Sequence, residues 1–72
     1  MNAFSQRIKE CRLSKGLTQR QAAENFNIVE RHWRAYELGT RTPTFEKLIE
    51  LANFFNVSID WLVGRSEEKA LR

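Results

Sequence analysis

One cysteine, one histidine, one proline and three glycines in 72 residues leave several classes of protein without their raw material. Cys11 has no partner for an internal disulfide, which excludes a small secreted scaffold stapled by cystines. One cysteine and one histidine are too few for the ligand set of a structural zinc site, so no metal is expected. No apolar run approaches the roughly 20 residues of a membrane-crossing helix. The start Met1-Asn2-Ala3-Phe4-Ser5-Gln6 lacks the apolar core of a signal peptide. A reducing cytoplasm is the expected compartment. There is no Gly-rich phosphate loop, no nucleophile–histidine–acid set and no cluster of carboxylates. A helical unit of this size also has little room for a pocket of several hundred Å³. No enzymatic activity and no cofactor are expected.

What is present fits one folded domain. Apolar residues make up 42% and charged residues 29% of the chain, ordinary values for a globular protein. Lysine and arginine exceed aspartate and glutamate by 12 to 9, a net +3. The excess is uneven. Residues 1–36 carry seven basic and three acidic side chains, net +4, and residues 37–72 carry five and six, net −1. A polyanion-binding face is therefore to be sought in the first half.

Turn formers recur at Gly16, Asn27, Gly39 with Pro43, Asn56 and Gly64, and no alternating β-branched run lies between them. The spacing predicts an all-α fold of five short helices. Phe4, Ile8 and Cys11 form one apolar stripe on a helix that Gly16 ends. Thr18 with Gln21 makes a capping-box pattern before a second helix whose Ala22, Ala23 and Phe26 share a face. Asn27 tolerates the left-handed backbone of a tight turn, and Ile28 plugs it. A third helix runs from about Val29 to Leu38, with Trp33 and Tyr36 facing inward. Pro43 holds the next loop extended and Thr44 caps a fourth helix bearing Leu48, Leu51, Ala52 and Phe55. Ser58 caps a last short helix through Trp61. The domain is expected to span residues 1–66, with a charged tail at 67–72 expected to fray.

The informative object lies between Gln19 and Leu38. A DNA-reading helix-turn-helix needs a small residue where its helices cross, here Ala23, and a positive-φ residue at the turn, here Asn27. It also needs apolar residues to lock the second helix, here Phe26, Ile28, Trp33 and Tyr36. Glu30, Arg31, Arg34 and Ala35 are left pointing outward, with His32 beside them. Such a helix fits the major groove and carries a guanidinium able to bind guanine bidentately.

The run from Arg7 to Gly64 resembles the Cro/cI-type (XRE), lambda-repressor-like helix-turn-helix family. Matching segments are Arg7-Ile8-Lys9-Glu10 with Arg12, Lys15-Gly16-Leu17-Thr18-Gln19, Tyr36-Glu37-Leu38-Gly39 with Arg41 and Pro43, Leu48-Ile49-Glu50-Leu51-Ala52, Phe55-Asn56-Val57-Ser58 and Asp60-Trp61-Leu62 with Gly64. The resemblance implies a compact five-helix DNA-binding domain and a homodimer on a two-fold operator. It also implies a nucleoid-associated repressor of prokaryotic or phage type, with double-stranded DNA as partner. By position it makes Gln19 a phosphate contact that braces base-reading side chains. Glu30, Arg31 and Ala35 become base-facing residues, and Arg34 a phosphate or base contact. Arg41 and Thr42 become the grip on the opposite phosphates. Arg12 and Glu37 match a structural ion pair.

Three departures stand out. Valine at 29 offers no capping oxygen, a loss of about 1 kcal/mol, unless Asn27 and Glu30 cap the helix earlier. Ala22 and Trp33 swap the family's usual large and small residues, and the indole is expected to fill the space alanine vacates. Glu30 puts a negative charge near phosphates, either to accept from cytosine N4 or to weaken DNA binding.

Other residues have plainer readings. Trp33, Tyr36 and Trp61 are expected in the core, with Cys11 as a small buried hydrophobe. Arg7, Lys9, Arg20 and Lys47 read as solubilising faces. His32 is either a base or pH reader or a solvated surface residue. The competing reading of the whole is a helix-turn-helix used as an antitoxin, accessory or anti-repressor module, docking through Leu13, Leu38 and Phe54.

Overall fold

The computed structural model describes residues 2–70. It contains α1 (Ala3–Ser14), α2 (Gln19–Asn25), α3 (Glu30–Leu38), α4 (Phe45–Phe55) and α5 (Ile59–Leu62). Side-chain caps fix where four of the five begin. Asn2 with Ser5 and Thr18 with Gln21 form reciprocal capping boxes at α1 and α2. Thr44 and Ser58 accept from the amides of Lys47 and Trp61 at α4 and α5. Satisfying these first-turn amides is worth about 1 kcal/mol per helix.

At α3 the N-cap is Val29, with no side-chain hydrogen bond. The earlier start through Asn27 and Glu30 is not adopted. Asn27 instead takes φ 60°, a left-handed conformation incompatible with a cap and suited to turning the chain between α2 and α3.

The apolar stripes meet in one core. Ile8, Trp33, Leu51 and Leu62 are inaccessible to solvent, and Phe26, Tyr36, Phe55 and Trp61 nearly so. Phe26 lies parallel to Trp33 with centroids 5.8 Å apart, and Tyr36 meets the same indole edge-on at 6.0 Å. Ala22 and Trp33 are both sealed in this core. α3 packs on α1 and α2, and α5 closes the core against α1 and α4. Where α5 ends, Gly64 sits at φ 90° beneath α1, and a Cβ there would meet that of Ala3 at 2.5 Å.

The tail expected to fray lies folded against the body as far as Ala70; Leu71 and Arg72 fall outside the described residues. Ser58 donates its amide to the Lys69 carbonyl at 2.9 Å and its hydroxyl to that of Glu68 at 3.1 Å. Val57 forms an isolated antiparallel bridge with Ala70. The cations of Arg7 and Lys69 each lie 4.9 Å from the centroid of the Trp61 ring. Cation–π contact and backbone pairing hold this segment, where composition alone suggested solvation.

Candidate nucleic-acid interface

The turn between α2 and α3 fixes the angle at which α3 crosses α2 and presents its outer face. Ala23 lies in the helix crossing, 1% exposed, and its carbonyl accepts from the Ile28 amide at 3.0 Å across the turn. Lys47, read from sequence as a solubilising charge, reaches from α4 to donate to the Phe26 carbonyl at 2.6 Å and pairs with Glu50 at 3.3 Å. A cation at the C-terminal carbonyls of α2 is electrostatically favoured. Its donor comes from a residue 21 positions away, so no local pattern signals it.

Beneath the interface lies a carboxylate that collects four hydrogen bonds. Glu37 accepts from Arg12 Nε at 2.6 Å and Nη2 at 3.1 Å, from Trp33 Nε1 at 2.5 Å and from Gln19 Nε2 at 3.2 Å. Arg12 also donates to the Leu17 carbonyl at 2.8 Å. α1, the start of α2 and the inner face of α3 are thereby tied at one point. Burial pushes the Glu37 carboxyl up, but hydrogen bonds from Arg12, Trp33 and Gln19, with the Arg12 charge, outweigh it and hold the group below its ordinary value. Gln19 spends one of the two N–H donors of its side-chain amide on Glu37, and the second remains for an outer acceptor. The Trp33 indole donor on this carboxylate is an addition that the sequence did not announce.

The outer face of α3 carries Glu30, Arg31, His32, Arg34 and Ala35. Arg31 and Arg34 are exposed, and the other three are partly covered. Arg41 and Thr42, both exposed, lie in the following loop, on the side of His32. The His32 imidazole is held below its ordinary value by desolvation, then by the charges of Arg41 and Arg31. Arg34 does not stand free, since its Nη2 is 3.1 Å from Glu30 Oε2. This pairing follows the i,i+4 rule, and that spacing was the available signal. Arg31 and Arg41 have no carboxylate partner among the described residues. Other cations are spent internally: Arg12 on Glu37, Arg20 on Glu24 at 3.6 Å, and Lys69 on Glu10 at 3.3 Å.

Arg7, also read as a solubilising charge, is half-buried. It donates to the carbonyls of Trp61 and Ser66 and to the Glu67 carboxylate, across separations of 54 to 60 residues. Cys11 is 1% exposed, and burial pushes its thiol up to about 11, far from the thiolate a redox switch requires.

A helix-turn-helix family model matches residues 8–62. The HTH-type transcriptional regulator YqaE of Bacillus subtilis is 41% identical over 70 residues, covering 96% of this chain and 60% of its own length. The cryptic phage CTXphi transcriptional repressor RstR of Vibrio cholerae is 36% identical over 64 residues, covering 89% and 58%. The crystal structure of a transcriptional regulator from Listeria innocua superposes with a TM-score of 0.81 at 38% identity, over 90% of this chain and 61% of that one. The chain therefore spans about three-fifths of the length of these relatives. With α2, the Asn27 turn and α3 arranged as described, it belongs to the Cro/cI-type helix-turn-helix family.

Proposed function

We propose that this chain binds double-stranded DNA at specific sequences and regulates transcription, as a repressor, in the cytoplasm at the nucleoid. The observation that carries the reading is the pair of guanidinium groups, Arg31 on the outer face of α3 and Arg41 in the next loop, both exposed and without carboxylate partners among the described residues. Unspent cations on and beside the exposed face of a helix suit a polyanion whose grooves admit one helix.

In the proposed complex, Gln19, Arg41, Thr42 and the first amides of α4 engage phosphates. Those amides lack intrahelical partners and sit at the positive end of the helix. α3 then presents Glu30, Arg31, Arg34 and Ala35 to base edges, with His32 alongside. Two copies on a two-fold site place their recognition helices about 34 Å apart, one turn of duplex. The Arg12–Glu37 pair keeps α3 in register with α1.

Selection from a random duplex pool at two salt concentrations tests this. Enrichment of a defined motif, with affinity falling steeply as salt rises, is the expected result. Arg31→Ala should cost about 1–3 kcal/mol and relax one base position, whereas Arg41→Ala should weaken all sequences evenly and flatten the salt slope. The competing reading, a protein-docking module, draws on Leu13 and Leu38, which are 57% and 65% exposed, and on Phe54 at 42%. Under that reading no pool enriches and binding to the protein partner barely responds to salt.

A further inference from the structure

We infer that Glu30 governs base choice indirectly, as a positioning residue that holds Arg34 in the attitude for reading guanine. This rests on the DNA-binding role proposed above. Glu30 Oε2 and Arg34 Nη2 are 3.1 Å apart on the outer face of α3. Arg31 and Arg41 have no such partner among the described residues, so Arg34 is the one guanidinium of the interface with a set direction.

Two features keep the carboxylate in place. An acid four residues before a basic residue is the favourable order for a helical pair. Glu30 also lies in the first turn of α3, where the helix dipole attracts negative charge and Val29 supplies no side chain to occupy the capping position.

A guanidinium has five N–H donors in a planar fork. One contact from Nη2 to Glu30 leaves donors free to meet guanine O6 and N7 together. Without the carboxylate, Arg34 can swing to the nearby strand and bind phosphate, which adds attraction but carries no sequence information. Glu30 therefore gives up affinity for selectivity, because its own charge repels the phosphates while it directs its neighbour.

Accepting directly from cytosine N4 is the other chemistry open to Glu30, and pool selection with Glu30→Gln, Glu30→Ala, Arg34→Ala and the unaltered protein separates the two. The inference predicts that all three variants lose preference at the same guanine. It also predicts that the Glu30 variants bind bulk DNA more tightly, with a salt slope steeper by about one phosphate contact. Both side chains are about half exposed, so the thermal unfolding midpoint should fall by no more than a few degrees in each variant.

If Glu30→Gln relaxes a different base pair from Arg34→Ala, Glu30 reads a base itself and the inference is overturned. If Glu30→Gln keeps the parent preference and merely binds more tightly, Glu30 acts as a bulk charge and the inference is again overturned. Failure of the unaltered protein to enrich any motif removes the DNA-binding proposal and this inference with it.

Discussion

Replacing Glu37 by glutamine should cost this domain a large share of its stability. The carboxylate is 5% exposed and lies among four N–H donors, three of which come from Arg12, itself 8% exposed, and the fully buried Trp33. An amide keeps the shape but offers one acceptor, and it turns a donor toward donors. The guanidinium then stays buried without its counter-charge, a penalty of about 3–5 kcal/mol. At ~0.05–0.15 kcal/mol per residue, a 72-residue domain has about 4–11 kcal/mol in all. With a urea dependence of about 1 kcal/mol per molar, the unfolding midpoint should fall by roughly 3 M or more.

The double variant Arg12→Met with Glu37→Leu removes both charges and leaves the Trp33 indole N–H as the main orphan, a cost of about 1–3 kcal/mol. It should therefore be more stable than Glu37→Gln alone. The acid limb of the stability curve provides a further check. Glu37 takes up its proton less readily folded than unfolded, so its contribution is complete above the ordinary value of 4.5 and drains away as pH falls through the lower folded value. The glutamine variant should lose that part of the acid dependence. A single-variant loss below about 1 kcal/mol, or a double variant no better than the single, would refute the reasoning.

Three smaller perturbations test other joints. Val29→Ser supplies the missing cap of α3 at an exposed position and should raise stability by about 1 kcal/mol in urea unfolding; no gain would mean the helix starts elsewhere. Gly64→Ala meets both a positive φ and the Ala3 Cβ, so a loss of about 1–3 kcal/mol is expected, and a neutral result would contradict the packing of α5 under α1. In an NMR titration His32 should turn over below 6.5, and Arg41→Ala should move the midpoint upward because Arg41 is a cause of the depression; an unmoved midpoint would separate the loop from α3.

What the sequence made legible is what short-range patterns encode. Thr18 with Gln21, the left-handed Asn27, and the inward pair of Trp33 and Tyr36 are each written within about four residues of chain. They were enough to outline the fold and the face of α3. Arg7, Lys47 and the tail read as solvated because their partners are distant: the Trp61 ring and carbonyl for Arg7, the Phe26 carbonyl for Lys47, and the hydroxyl and amide of Ser58 for the carbonyls of residues 68 and 69. A charge count cannot tell a solvated cation from one bound to a carbonyl. Val29 left two starts open for α3, and the backbone angle of Asn27 decided between them. The Glu30–Arg34 pair is written in its i,i+4 spacing.

The account's central claim is that the outer surface of α3 enters the groove of a duplex. Amide NMR spectra of the labelled protein, titrated with the enriched duplex, test it most directly. Large shifts should appear at Gln19, at residues 30–35 and at 41–45, while Leu13 and Phe54 stay still. Shifts confined to Leu13, Leu38 and Phe54, with residues 30–35 unmoved, would contradict it.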